Sequence, residues 1–222
     1  MINQGVVDDV VEDVTTLANK GELTDETVNE VLDVLEAQNN PGLADEILDV
    51  QEAAETFMDG DQYTKVNRRK TLKSDITYQT PGGHLYTTDS AGRISNVKGN
   101  LEPITAKRSE YSQRIVGRDV NNPSVTSKLT TDDGGHLIAS QFNGSGGLDN
   151  LVPMDSKLNR AGGDWYKMEQ EWASALEANK EVFVEIDVIY EGASSRPSKF
   201  VVEYTIDGKL YEKEWVNTIG GN

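Results

Sequence analysis

The chain has 222 residues, 36% of them hydrophobic, no cysteine, two histidines and a formal charge of −17. That hydrophobic content suffices for a core, while the missing cysteines exclude disulfides, thiolate metal sites and thiol nucleophiles. No apolar run approaches the roughly 20 residues of a membrane-spanning helix. The acidic start, MINQGVVDDVVEDV, lacks the apolar segment of a cleaved secretory signal, which still permits export by a route without one.

The charge is unevenly placed. Residues 1–60 carry sixteen acids against one lysine, and residues 61–125 carry eleven bases against six acids. Residues 126–222 carry sixteen acids against nine bases. The acidity is therefore mainly an N-terminal property, with the basic residues gathered in the middle of the chain.

In chain order, Val6, Val7, Val10, Val11, Val14 and Leu17 recur at helical spacing, and Gly21 is placed to end that helix. Thr24 caps a second helix with Val28, Val31, Leu32 and Leu35 on one face. Pro41 and Gly42 break the chain before a third, carrying Leu43, Ile47 and Leu48. Residues 1–60 thus read as a small acidic helical segment: a solvated spacer, a docking face for a secretion or carrier partner, or an acidic flap over a basic groove. Residues 58–61 read as the boundary to a second domain, 61–222. Lys65, Arg68, Arg69, Lys70 and Lys73 follow as a basic cluster, either a phosphate-contacting patch or a solvated face.

From Asp75 the hydrophobic period becomes two. Strands are expected at 76–80, 85–88 and 93–97, with a turn at 89–92. His84, in Pro81-Gly82-Gly83-His84, reads as a turn histidine. Arg108, Arg114 and Arg118 come next. A helix is expected over 166–177, then alternating strands at 182–190, 199–206 and 209–216, with Asp207-Gly208 as a two-residue hairpin turn.

The densest chemistry lies in residues 131–172. Asp133-Gly134-Gly135-His136 is followed by the Gly/Asn-rich run 143–147, then Asn150 and Asn159, then Trp165, Glu169 and Trp172 at helical spacing. These residues suggest a strand or loop carrying His136 and facing a helix entered near Asn159. The order D-x-G-H, N-L-V-P-M-x-x-x-L-N and W-x-x-x-E resembles the DNA/RNA non-specific endonucleases of the ββα-metal (His-Me finger) superfamily. GGHLIA, the NGSG run, DNLVPMDSKLN and IYEGASSRPSKF are more specifically similar to nuclease domains of bacterial polymorphic toxins. Many of those sit behind LXG domains and leave Gram-positive cells by type VII secretion. The likeness covers residues 78–216 and leaves 1–60 outside.

The resemblance implies an α+β fold: a ββα-metal nuclease core with an antiparallel sheet and flanking helices, preceded by the acidic helical segment. It implies a phosphodiester hydrolase cutting DNA and also RNA, with Mg²⁺ or Mn²⁺ as cofactor. His136 would be the general base, Asn159 the metal ligand and Glu169 the holder of a metal-bound water. Asn150 would position His136 or the loop around it, and Asp133 would support the motif turn. Histidine suits the first role because its ordinary pKa lies near neutrality. Mg²⁺ prefers oxygen ligands and retains waters, so few protein ligands suffice.

Many relatives read D-R-G-H where this chain has Gly134, so an upstream arginine, Arg114 or Arg118, is expected to assist at the phosphate. A toxin would be secreted without a cleavable signal peptide, act in the target-cell cytoplasm and require an immunity protein. Two other readings remain: an inactive nuclease-fold module that docks proteins, and a nutritional or DNA-uptake nuclease.

Overall fold

The computed structural model describes Thr56, Phe57, residues 60–122 and 124–218, and ten isolated positions between residues 13 and 48. The chain divides into two compact units, Met1–Thr56 and Phe57–Asn222. In the first unit every described position from 13 to 48 is helical, and Val14, Val28, Leu35 and Ile47 are buried. These four fall on the apolar stripes expected from spacing. The helix ends expected at Gly21 and Thr24, and most of the acidic docking face, lie outside the described residues. Among the described residues, no helix is long and apolar enough to cross a membrane.

The second unit is α+β. It opens with β1 (Tyr63–Val66) and β2 (Arg69–Leu72), a two-stranded hairpin formed by the basic cluster itself. Then follow β3 (Thr77–Gln79), β4 (Leu85–Thr88) and β5 (Ile94–Asn100), and a short helix α1 (Glu110–Ile115) capped by Ser109. A second hairpin comprises β6 (Asp132–His136) and β7 (Leu151–Asp155). Directly after it come the one-turn helix α2 (Ser156–Asn159) and α3 (Asp164–Glu177). The long strands β8 (Val182–Tyr190), β9 (Pro197–Ile206) and β10 (Lys209–Val216) complete the chain.

Six strands make one antiparallel sheet in the order β10-β9-β8-β5-β4-β3. The alternation that predicted these strands is the alternation of their burial: Val182, Val184, Ile186 and Val188 face inward on β8. Asp207 and Gly208 both take positive φ, as a tight right-twisting hairpin requires. Phe57 exchanges backbone hydrogen bonds with Thr77 and Gln79 beside β3, so it belongs to this unit.

Helix α3 packs on the sheet through Trp165, Met168, Trp172 and Ala175, spaced to line one face. Trp165 stands edge-on to Phe200 and Trp215, and Trp172 edge-on to Phe142 and Tyr204. Each indole removes about 200 Å² from water, a gross gain of about 5 kcal/mol before conformational entropy. This packing fixes the helix carrying Glu169 against the scaffold. The β6–β7 hairpin with α2 forms a ββα unit beside it.

Candidate active site

His136 ends β6, opposite Leu151 of β7. Strand β6 contains two consecutive glycines because α1 lies directly on the first and Met154 of β7 crowds the second. A Cβ on Gly134 would fall 2.6 Å from the Gln113 Cα, and one on Gly135 would fall 2.8 Å from the Met154 Cβ. Both distances are shorter than real Cβ contacts, so no side chain fits there without moving backbone. The glycine standing where many relatives carry arginine is thus explained by packing: α1 occupies the side chain's space.

An open cleft of about 860 Å³ is lined by His136, Asp133, Asn159, Glu169, Arg108 and Arg114, among others. The ββα unit contributes His136 and Asn159, α3 contributes Glu169, and the segment from Arg108 through α1 contributes the arginines. Residues 61 positions apart in sequence therefore share one wall.

His136 is buried and its Nε2 has no hydrogen-bond partner. Burial, and then the nearby Arg108 charge, push its pKa down to about 4. The imidazole is consequently neutral at pH 7 and can accept a proton.

Asn159 donates from Nδ2 to Asp133 Oδ2 at 3.1 Å. A carboxylate can only accept, so this bond forces the amide nitrogen toward Asp133 and leaves the Asn159 carbonyl oxygen as the free atom. Asp133 is itself gripped by Arg160, with Nε at 2.9 Å and Nη2 at 2.7 Å. Burial raises the Asp133 pKa, but the Arg160 and Asn159 hydrogen bonds outweigh it and hold the carboxyl below its ordinary value. Asp133 is thus an anionic brace that aims Asn159. Removing the brace's charge with Asp133→Asn should weaken metal-dependent turnover about 10- to 100-fold. A titration of activity against Mg²⁺ concentration measures this, and an unchanged half-saturation point would contradict it.

Glu169 is half-buried in the cleft wall. Burial drives its pKa up to about 7; the Trp165 indole N–H and Arg108 oppose the rise, the indole without reaching hydrogen-bond geometry. The folded protein therefore binds this proton more tightly than the unfolded chain between pH 4.5 and about 7. That contribution is fully present at pH 4 and is lost as pH rises through 7. Glu169→Gln, measured in EDTA, should stabilise the protein by about 2 kcal/mol at pH 8 and by much less at pH 4. Thermal unfolding at the two pH values reads the difference.

Two residues named from the sequence, Asn150 and Arg118, do not line this cleft. Asn150 is fully buried and does not line the cleft. Its Oδ1 accepts from Tyr86 Oη and Ile138 N at 2.8 and 2.9 Å, and its Nδ2 donates to Ile138 O and Ser145 O. With every side-chain site occupied, it clamps the segment after His136. Arg118 is likewise removed, because the chain turns at Gly117, φ +80°, and sends it to a different groove.

Arg114 lines the cleft and stacks over Tyr111. Arg108, the less favoured of the three arginines by sequence, is the one whose charge is felt by both His136 and Glu169. Its Nε donates to Ser140 Oγ at 2.9 Å, tying it to the chain just beyond His136. Nothing in the spacing of the three arginines distinguishes Arg108. Asn159, expected to open the long helix, instead closes α2, and Gly163 precedes α3. His84 does sit at the turn before β4, wholly buried with both ring nitrogens unpartnered and its pKa lowered by burial.

Among the described residues, no three His, Asp or Glu side chains gather into a metal cage. The oxygen donors here are the oriented Asn159 carbonyl and the Glu169 carboxyl, a sparse hard set that fits a mostly hydrated divalent ion.

A ββα unit thus presents a neutral histidine and an oriented asparagine to a cleft edged by arginines. The chain belongs to the DNA/RNA non-specific endonuclease family, which it matches over residues 74–208, and it is an endonuclease. It is 41% identical over 166 residues to the type VII secretion system protein EssD of Staphylococcus aureus, in strains USA300 and Newman alike. The match takes in 69% of this chain but 26% of that protein, so the chain spans about a quarter of its relatives' length. Among solved structures, it is similar to NucA from Streptococcus agalactiae with magnesium bound: 20% identity, TM-score 0.48, covering 71% of this chain and 83% of NucA. It is also similar to the Sda1 nuclease with bound zinc: 16% identity, TM-score 0.49, covering 69% and 77%.

Proposed function

We propose that the chain is the nuclease module of an interbacterial toxin, exported by type VII secretion, that hydrolyses DNA and RNA without sequence preference. The observation carrying the chemistry is the joint presence, on one cleft, of a neutral His136 and an Asn159 amide whose oxygen is set free by Asp133. His136 takes the proton from the attacking water. Arg108 and Arg114 draw the substrate's phosphate to the cleft and offset its charge. Asn159, with Glu169 through a water, would hold Mg²⁺ or Mn²⁺. Bound there, the ion would supply charge neutralisation at the phosphate and support for the leaving oxygen.

The likeness to EssD supports the secretion route, and an enzyme of this kind requires an immunity protein in the producing cell. The target-cell cytoplasm is where its substrates are abundant. Supercoiled plasmid and a structured RNA, incubated with the purified chain in Mg²⁺ or in EDTA, test the enzymology. Degradation in Mg²⁺ alone is the expected result. Binding without cutting under both conditions would instead support a docking module. Expression inside a susceptible bacterium, with and without the gene adjacent to this one, tests the toxin assignment. Growth arrest relieved by that neighbour is expected; harmless expression of an active enzyme would favour a nutritional nuclease.

A further inference from the structure

Helix α1 is a ridge between two depressions. Glu110, Gln113 and Arg114 line the catalytic cleft, whereas Tyr111, Ser112 and Ile115 line a second groove of about 690 Å³. Their three- and four-residue spacing puts the two sets on different faces of one helix. The second groove runs from α1 to the β1–β2 hairpin and includes Tyr63, Arg68, Lys70 and Arg118.

This groove is basic in a chain that is strongly acidic overall. Arg68 stands at the hairpin tip with φ +66°, beside Asn67 at +49°. Asparagine tolerates that region, but arginine pays for it, so the tip is held by its surroundings. The holding contacts are Asn67 Nδ2 to Asn121 Oδ1 at 3.2 Å and Arg69 Nη1 to Val120 O at 3.0 Å. Lys70 Nζ sits 3.4 Å from the centroid of the Tyr63 ring, which stations the ammonium over the groove wall. Arg68 and Arg118 make no side-chain hydrogen bond or ion pair among the described residues. Asp119, its Oδ1 accepting from Asn121 N and Asn122 N at 2.7 Å each, is the one carboxylate named in the lining, against the cations Arg68, Arg69, Lys70 and Arg118. Tyr111 lies 62% exposed on the ridge, its ring stacked with the Arg114 guanidinium that enters the catalytic cleft.

We propose that this second groove is a binding track for the nucleic-acid strand flanking the scissile phosphate. The strand crosses α1 with a base on Tyr111 and sets its phosphates on Arg68, Lys70 and Arg118. Cations beside the exposed Tyr111 ring suit a single strand, whose phosphates attract the charges and whose bases stack without regard to sequence. Continuity through α1 makes the track an extension of the cleft. The proposal rests on the nuclease reading, and the test separates the two.

The full chain is compared with the charge reversal Arg68→Glu/Arg118→Glu and with a control reversal, Lys209→Glu/Lys213→Glu, on β10. Binding of a 20-nucleotide single-stranded DNA is measured in EDTA, where no cutting is needed. Turnover in Mg²⁺ is measured on the same strand and on thymidine 5′-p-nitrophenyl phosphate, which reaches only the catalytic cleft. The track variant should bind the oligonucleotide at least about tenfold more weakly, with its salt slope reduced by about 1.4 for two lost phosphate contacts. Its KM for the strand should rise while kcat for the small ester stays unchanged, and the control should match the parent. Equal oligonucleotide binding by parent and track variant overturns the proposal and turns the groove into a candidate surface for a protein partner. Loss of small-ester turnover in a variant with unchanged Tm also overturns it, since the arginines would then serve the cleft itself. A parent that cuts neither substrate fails the nuclease reading alone, because the difference in EDTA binding still decides the track. Should the reversal lower Tm, Arg68→Gln/Arg118→Gln is read in its place.

Discussion

His136→Ala should lower kcat/KM on plasmid DNA by about 10³-fold, within the 10²–10⁴ that a positioned general base contributes. Binding of the same DNA in EDTA should change little, because the arginines that attract phosphate remain. The burial that keeps His136 neutral also sets the pH dependence. With a pKa pushed down to about 4, the His136 limb of the profile should lie well below the ordinary histidine range, separate from the Glu169 carboxyl, which titrates at about 7. The same shift affects folding. The unfolded chain takes up this proton from pH 6.5 downward and the folded one only near 4, so stability contributed by neutral His136 is lost as pH falls through that window. A pH–rate profile on a small phosphodiester, run beside the pH dependence of Tm, separates the two effects. Equal rates for the parent and His136→Ala would remove this histidine from the chemistry.

The second large effect is structural. Asp132, whose side chain is wholly buried, receives two hydrogen bonds from Arg196, Nε at 2.8 Å and Nη2 at 2.9 Å, and caps Leu129 N. Arg196 and Asn217 extend the brace: Asn217 Oδ1 accepts from Asp155 N, and its Nδ2 donates to Pro153 O and Pro197 O. These contacts bind the β6–β7 hairpin to the ends of β9 and β10, behind the strand that presents His136. Arg196→Ala strands a buried carboxylate and should cost about 3–5 kcal/mol. For a domain stable by about twice that, the loss is severe. Urea unfolding measures it. Arg196→Met with Asp132→Asn, which removes both charges, should recover much of the stability. If the single and double variants unfold alike, the ion pair is not what holds the hairpin.

The Arg196 brace could not be weighed from the sequence. Arg196 and Asp132 are 64 residues apart, and no local periodicity links an arginine in a Ser-rich turn to the first of two consecutive aspartates. Arg108 is tied into the cleft, beside Arg114, through Ser140, 32 residues away. The hairpin of the basic cluster was missed because its turn is Asn67-Arg68, without the glycine that marks most such turns, and depends on Asn121 and Val120 to hold it.

Residue spacing alone specified the sheet strands β4, β8 and β10, the apolar face of α3 and the Asp207-Gly208 turn. Those are set by local sterics and by which side chains water excludes, and both are written in neighbouring residues. The ordered appearance of His136, Asn159 and Glu169 likewise marked the family. Tertiary structure decided the surroundings of each. It buried His136 until the ring lost its charge, and turned the Asn159 amide by placing Asp133 against its nitrogen. It spent Asn150 on the backbone around Ile138 and moved Arg118 to the far face of α1. Protonation, amide orientation and access to a cleft depend on atoms brought from distant parts of the chain, so they exist only once it has folded.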